Sequence, residues 1–114
     1  MNKMQKDALN FIKNDFSLNY KNLINKIYLY GSCARNEEKI MSDIDIMVCI
    51  NNKVIKNIYD SPKLMRQLRN DAVPNFLCSD IDVHFCNDDI YNEKYDNDLL
   101  IKNIRKDAVL IYGK

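Results

Sequence analysis

The stretch that decides the fold is YGSCARNEEKIMSDIDIMV, residues 30–48. It begins where an apolar run meets Gly31, a pattern that favours a buried strand ending in a tight turn. Ser32 follows as a helix cap, so SCARNEEK predicts a short helix with its charges facing water. From Asp43 onward apolar residues alternate with others, which predicts a second strand over residues 43–50. The stretch therefore predicts a strand, a turn, a short helix and a second strand.

The second strand places two carboxylates on one face. Because side chains alternate along a strand, Asp43 and Asp45 project from the same side, about 6 to 7 Å apart at the backbone. Mg²⁺ prefers oxygen ligands and usually binds through one or two carboxylates plus the phosphates of a substrate. Gly31 and Ser32 open the short helix, where the positive end of the helix dipole favours an anion. The D-x-D pattern is common by itself, but beside a phosphate turn it predicts a metal-bound nucleoside triphosphate.

The rest of the chain alternates between helical and strand patterns. Residues 3–17 predict an amphipathic helix, and residues 59–75 predict a second helix that begins at a Ser-Pro pair and ends near Pro74. Residues 76–85 return to strand alternation, with Asp80, Asp82 and His84 on one face. Residues 97–113 predict a last helix followed by a short apolar tail. This order predicts the α/β (α+β) class, with a small mixed sheet covered by helices on at least one face.

Composition indicates a single soluble domain over residues 1–114. The hydrophobic fraction is 46% and the charged fraction 29%, which excludes an intrinsically disordered chain. The net charge is +1, so there is no global basic field and no strong signal for nucleic-acid binding. NDDIYNEKYDND, residues 87–98, is the one strongly polar stretch and predicts a solvated loop.

Neither a membrane segment nor a cysteine-based site is predicted. No apolar run approaches the roughly 20 residues that cross a bilayer, and the charged N-terminus lacks the apolar centre of a signal peptide. We therefore expect a cytoplasmic protein without a membrane partner. The four cysteines form no C-x-x-C pair and no cluster with histidines, which predicts reduced thiols rather than zinc ligands or disulfides. They are Cys33, Cys49, Cys78 and Cys86.

The stretch over residues 30–48 resembles the signature of the DNA polymerase beta nucleotidyltransferase superfamily, in which G-S is followed about ten residues later by D-x-D on the next strand. The order of elements extends the resemblance across the whole chain. At this length it is similar to the minimal nucleotidyltransferases, catalytic domains often encoded beside a HEPN-domain toxin. The resemblance implies a polymerase-beta-like nucleotidyltransferase fold, ATP or another NTP as substrate, and Mg²⁺ as two ions, with Mn²⁺ as an alternative.

The resemblance also implies roles for individual residues. Gly31 and Ser32 match the residues that hold the β and γ phosphates of the nucleotide. Asp43 and Asp45 match the two metal-binding carboxylates. Asp82, between two apolar residues on a later strand, matches the third carboxylate, which binds the metal and activates the acceptor hydroxyl.

Three further residues are less clearly assigned by the resemblance. Asp80 shares the face of Asp82 but fits the pattern of the third carboxylate less well. Arg35 occupies the arginine of the family's G-S-x-A-R and is suited to a phosphate, although a helix-surface arginine explains it nearly as well. The family usually has glycine at the position of Asn36, a mild departure. His84 lies on the strand face of Asp82, where a structural role is the commoner one.

The resemblance implies transfer of NMP, AMP from ATP in the leading hypothesis, to an acceptor hydroxyl. The leading acceptor is a tyrosine of a cognate HEPN toxin, which makes the protein an antitoxin. Two alternatives remain: a non-catalytic antitoxin that neutralises its partner by contact, and a small-molecule nucleotidyltransferase acting on an aminoglycoside-like alcohol. The acceptor site is expected to be shared with a partner or with a second copy in a homo-oligomer.

Overall fold

The computed structural model describes residues 1–35, 43–72 and 81–113 of the chain. Within them it contains three helices, four strands and two single 3₁₀ turns. The helices are α1 (Lys3–Asn19), α2 (Pro62–Asp71) and α3 (Leu99–Asp107), the strands are β1 (Ile24–Tyr30), β2 (Ile44–Ile50), β3 (Ile81–Asn87) and β4 (Val109–Tyr112), and the 3₁₀ turns are Ile58–Asp60 and Glu93–Tyr95.

The four strands form one mixed sheet in the order β3-β2-β1-β4. β1 pairs antiparallel with both β2 and β4, whereas β2 and β3 run parallel. The predicted α+β class with a small mixed sheet is therefore confirmed. The parallel pair brings the starts of β2 and β3 to the same end of the sheet, and the antiparallel pair brings the end of β1 there as well.

Both faces of the sheet are covered, which explains the burial of β2 on both sides. Ile44, Ile46 and their neighbours at period two pack with α1 and α2 in one core cluster. Met47 and Cys49 point the other way and pack with α3 in a second cluster. A strand between two helical layers is apolar on both faces, and here the polar exceptions, Asp45 above all, lie at its beginning.

The first helix begins as its sequence predicts and adds a cap that the pattern did not indicate. Ala8, Ile12 and Phe16 form its fully buried stripe. The side chain of Asn2 accepts the backbone N–H of Gln5 at 2.8 Å, and the Gln5 side chain accepts the N–H of Asn2 at 3.0 Å. This reciprocal capping box satisfies two backbone donors at the helix start and explains why Gln5 is buried.

The apolar tail predicted after the last helix is an edge strand. β4 pairs with β1, opposite β2, so the tail adds a fourth strand instead of packing as an irregular segment. Val109 and Leu110 remain exposed on it. The alternation that would identify a strand is absent from the run VLIY, which explains why the pattern did not predict it.

The short helix predicted over SCARNEEK is described only as far as Arg35. There the backbone N–H groups of Ala34 and Arg35 donate to the carbonyl of Gly31 at 3.1 and 3.2 Å, which forms a hydrogen-bonded turn. The rest of that helix lies outside the described residues, as do Cys78, Pro74 and Asp80. Cys33, Cys49 and Cys86 are buried free thiols.

The polar stretch after β3 is more ordered than the predicted loop. Ile90 is fully buried in the cluster beneath α3. Asp89 accepts hydrogen bonds from Lys26 Nζ at 2.5 Å and from the Tyr28 hydroxyl at 2.7 Å. These contacts fasten the stretch to β1 across the face that α3 covers.

Asp89 gives the fold a predicted pH dependence. Burial alone would raise the pKa of this carboxyl, but hydrogen bonds from Lys26, Tyr28 and the backbone outweigh burial and lower the pKa. A carboxyl whose pKa is lower in the folded state stabilises the fold when the pH is above its unfolded pKa of about 3.9. This stabilisation is lost as the pH falls through the folded pKa. Asp89→Asn should therefore reduce the free energy of unfolding by about 1–2 kcal/mol near pH 7.

Urea denaturation of wild type and the Asp89→Asn variant at neutral and acidic pH measures this effect. The difference between the two proteins should shrink below the unfolded aspartate pKa. Asp60→Asn, at an exposed carboxylate, is the matched control and should change stability by less than about 0.5 kcal/mol. A constant difference between wild type and Asp89→Asn at every pH would contradict the electrostatic explanation.

A search of the described residues for a helix long and apolar enough to cross a bilayer finds none.

Candidate active site

The turn after β1 lies directly against a carboxylate of β2. Gly31 has a φ of +76°, a conformation that glycine adopts without strain. A Cβ added to it would lie 2.6 Å from Asp45 Oδ2. The backbone therefore approaches the carboxylate as closely as glycine permits, and a phosphate bound at this turn would lie beside Asp45.

The start of β2 is held close to the same turn. The Cys33 thiol donates to the backbone carbonyl of Asp43 at 3.5 Å. Cys33 is buried, whereas Asp43 is exposed. The contact fixes the backbone from which the first carboxylate of the D-x-D pair projects.

The strand β3 contributes Asp82 to the site. In the parallel pairing of β2 and β3, Asp45 lies directly opposite Asp82. Tyr30, the last residue of β1, lies opposite Asp45 on the other side. Side chains at paired positions project from the same face of a sheet, so the two aspartates and the tyrosine form one row across three strands. Asp82 therefore lies in the same row as Asp45, and Asp80 falls outside the described residues.

The electrostatics of Asp45 indicate a site with excess negative charge. Its pKa is raised, first by burial and then by the charges of Asp82 and Asp43. His84 and Arg35 lower the pKa and offset part of that increase. Carboxylates that destabilise one another's ionised forms are suited to a cation, which would reverse the shift.

His84 lies in the next row along the same face. Its Nε2 is 3.3 Å from Asp82 Oδ2, and its ring centroid is 6.1 Å from that of Tyr30. It is therefore placed to orient the Asp82 carboxylate, and its own row partner on β2 is Met47.

Tyr30 is a site residue that the sequence analysis did not identify. Burial and the charges of Asp45 and Asp82 raise the pKa of its hydroxyl well above the usual range, which keeps it a protonated donor. Its pairing with Asp45 depends on the register across the connection between β1 and β2, which no local pattern encodes. The sequence signal that could have identified Tyr30 is its position immediately before Gly31.

Arg35 pairs with the far end of the chain. Its Nη1 is 2.8 Å from Asp107 Oδ2, at the last residue of α3. It also lies near enough to Asp45 to lower the pKa of that carboxyl. The ion pair ties the Gly31 turn to α3, and a contact between Arg35 and phosphate stays a prediction.

The donor set fits Mg²⁺ better than a soft metal. Asp43, Asp45 and Asp82 supply hard carboxylate oxygens, and no cysteine is part of the row. In residues 1–35, 43–72 and 81–113, no group of three or more histidine, cysteine or acidic side chains is gathered closely enough to hold a metal ion alone. An ion at this site would therefore need the phosphates of the nucleotide as further ligands, which is the usual mode for Mg²⁺.

A glycine turn at the end of β1, beside in-register carboxylates on β2 and β3, defines a nucleotidyltransferase-type domain. A model of the family "Polymerase beta, Nucleotidyltransferase" matches residues 12–114, and the chain belongs to this family. A search of curated proteins finds no match to this chain.

One solved structure is similar over nearly the whole chain. It is described as a "putative nucleotidyltransferase" from Sulfolobus solfataricus and is 19% identical in sequence. The alignment covers 98% of this chain and 86% of that chain, with a TM-score of 0.58. At this identity the similarity supports the fold, and the family match supports the transferase class.

Proposed function

We propose that this protein is an antitoxin that transfers AMP from ATP to a tyrosine hydroxyl of a HEPN-domain toxin. The observation that carries the transferase chemistry is the row of Asp45 and Asp82 beside Gly31. The protein acceptor is supported by the resemblance to minimal nucleotidyltransferases.

In the proposed reaction the acceptor oxygen attacks the α-phosphorus of ATP. The bond from that phosphorus to the oxygen bridging to the β-phosphate breaks, and pyrophosphate leaves with the electron pair. The Gly31-Ser32 turn holds the leaving phosphates, while Asp82 accepts the proton of the acceptor hydroxyl. Asp43, Asp45 and Asp82 would hold Mg²⁺, which would supply positive charge to offset that of the phosphates.

The test is to incubate the protein with the product of the adjacent gene and ATP labelled at the α-phosphate, with Mg²⁺ present. We expect label on a tyrosine of that partner, and no label from ATP labelled at the γ-phosphate, because the γ-phosphate leaves with pyrophosphate. Neutralisation of the partner without label would instead identify a contact-only antitoxin. Label on a small alcohol in the absence of protein would identify a small-molecule transferase.

A further inference from the structure

A pocket of about 410 Å³ lies at the outer edge of β3, beside the row of carboxylates. This volume is within the range of about 300–1,000 Å³ that small-ligand sites occupy. Apolar side chains of Met47, Cys86 and Ile101 line it, and so do the rings of Tyr59 and Tyr95. None of these five residues has been given a role in nucleotide binding.

His84 connects the pocket to the carboxylates. It lines the pocket, and its Nε2 is 3.3 Å from Asp82 Oδ2. Alternate residues of a strand are about 6 to 7 Å apart at the backbone. His84, which lines the pocket, therefore lies one such step along β3 from Asp82. The Asp82 side chain is largely exposed, so it is accessible to a group that extends from the pocket past His84.

The geometry of an in-line displacement favours this side of the site for the acceptor. The turn assigned to the leaving phosphates follows β1, whereas Asp82 and the pocket belong to β3. β2, with Asp45, lies between these two strands. Attacking and leaving oxygens lie on opposite sides of the phosphorus, so an acceptor enters from the β3 side if pyrophosphate leaves on the β1 side.

The two tyrosine rings of the pocket are fixed by hydrogen bonds to the edge of β3. The Tyr59 hydroxyl donates to the carbonyl of Phe85 at 2.9 Å, and the Tyr95 hydroxyl donates to the carbonyl of Asn87 at 2.5 Å. Because both hydroxyls are hydrogen-bonded, the aromatic rings are the parts of these side chains that remain to contact a bound ligand. Aromatic pairs add about 0.5–1.5 kcal/mol beyond burial, so a flat aromatic group is favoured.

The same contacts close this edge of the sheet to another strand. The third carbonyl in the series, that of Val83, accepts from Arg69 Nε at 3.4 Å. Strand addition needs unpaired edge groups, and here three successive outward carbonyls have side-chain donors. A partner would therefore enter the pocket with a side chain and would not extend the sheet.

The charge of the pocket argues against a polycationic acceptor. Its lysine and aspartate residues are Lys56, Lys94 and Asp98. Lys94 pairs with Asp88 at 2.5 Å, while Asp98 caps α3 by accepting the Ile101 N–H at 3.0 Å. Lys56 has no ion pair among the residues that the structure describes. An aminoglycoside would meet a like charge, whereas an acidic segment would be attracted.

We infer that this pocket binds the acceptor, a tyrosine side chain within an acidic segment of a partner protein, with its hydroxyl directed past His84 to Asp82. The inference rests on the proposed function and names the place and chemistry of its acceptor. The phenolic oxygen forms the bond to the α-phosphorus, and its proton passes to the Asp82 carboxylate. Pyrophosphate leaves toward the Gly31 turn.

The test uses the peptide acetyl-Glu-Tyr-Glu-amide as probe, in the presence of ATP and Mg²⁺. Leu100→Trp should fill the pocket, since Leu100 lines it and its side chain is half exposed. Leu99→Trp adds the same ring at the exposed neighbouring position, which does not line the pocket. We expect Leu100→Trp to weaken peptide binding about tenfold, with the ATP dissociation constant unchanged, and Leu99→Trp to change neither.

A second pair of variants tests the charge argument. Lys56→Glu should weaken binding of the acidic peptide, again by about tenfold, because it replaces attraction with repulsion. Lys53→Glu makes the same change of charge at an exposed lysine outside the pocket and should leave binding unchanged. Equal effects of the two lysine variants would contradict a local role for Lys56.

The outcomes separate this inference from the proposed function. Equal peptide binding by Leu100→Trp and Leu99→Trp would overturn the pocket assignment even if AMP transfer occurs. Loss of ATP binding in Leu100→Trp would assign the pocket to the nucleotide, and tighter binding of an aminoglycoside than of the peptide would assign it to a small molecule; both overturn the inference. Peptide binding that Leu100→Trp abolishes, without AMP transfer to any acceptor, would support the pocket and refute the proposed function.

Discussion

Asp45→Asn should reduce nucleotide transfer by about 10²- to 10³-fold or more while leaving the protein folded. Asp45 occupies the centre of the row, between Tyr30 on β1 and Asp82 on β3, and Gly31 approaches it most closely. Asparagine preserves the shape of the side chain but removes the charge that would hold Mg²⁺ and the triphosphate. Single-turnover transfer of AMP from labelled ATP measures the loss.

The same substitution should not destabilise the fold. The pKa of Asp45 is raised by burial and by its acidic neighbours, so the ionised carboxylate opposes folding at neutral pH. A group whose folded pKa is raised contributes stability below its unfolded pKa and loses that contribution as pH rises through the folded value. Asp45→Asn should therefore match or exceed wild type in urea denaturation near pH 7, and the gain should disappear in acid.

The control for Asp45→Asn is Asp7→Asn, which removes an exposed carboxylate from α1 on the opposite side of the sheet. Transfer by this variant should equal that of wild type. If the Asp45→Asn variant transferred AMP at the wild-type rate, the assignment of the active site would be wrong. A lost rate together with lost stability would mean that Asp45 is needed for folding and would refute the electrostatic account above.

Local patterns predicted the parts of the site that are contiguous in sequence. Gly31 and Ser32 follow a strand and lie in the turn after it, and Asp43 and Asp45 lie at the start of the next strand. The two strands are predicted from the pattern of apolar residues within each segment, and that pattern can be read from the sequence directly. The helices were predicted for the same reason, since their apolar stripes repeat at the helical period.

Long-range pairing was beyond the reach of such patterns. The register that sets Asp45 opposite Asp82, with Tyr30 on the other side, depends on contacts between separate segments. The third carboxylate was inferred from family resemblance, and no periodicity distinguished it. Tyr30 was not identified as a site residue because an aromatic residue on a strand is usually explained by packing.

The pocket at the outer edge of β3 illustrates the same limit more strongly. Its two tyrosines come from the 3₁₀ turns Ile58–Asp60 and Glu93–Tyr95, and each donates a hydrogen bond to a carbonyl of β3. The polar stretch that contains Tyr95 was predicted to be a solvated loop. A buried Ile90 and the bonds of Asp89 anchor that stretch, but one apolar residue among many polar ones gives no periodic signal.

Gly31→Ala should have the second large effect, a loss of transfer of about a hundredfold, because misplacement of a reacting group by about 1 Å costs that much. The new methyl group would lie 2.6 Å from Asp45 Oδ2, so either the carboxylate or the turn must move. The positive φ of 76° adds a backbone penalty of about 1–2 kcal/mol for alanine. Single-turnover kinetics and urea denaturation measure the two consequences separately.

Gly113→Ala separates backbone strain from damage to the site. Gly113 also has a positive φ, of 95°, and its added Cβ would lie 2.3 Å from the backbone oxygen of Asn25, at the end of β1 remote from Gly31. This variant should lose stability but keep the wild-type rate per folded molecule. If Gly31→Ala also keeps that rate, the turn does not border the reacting phosphates. If it loses the rate and Gly113→Ala does not, the cause is the close approach of Gly31 to Asp45, since both variants carry the same kind of strain.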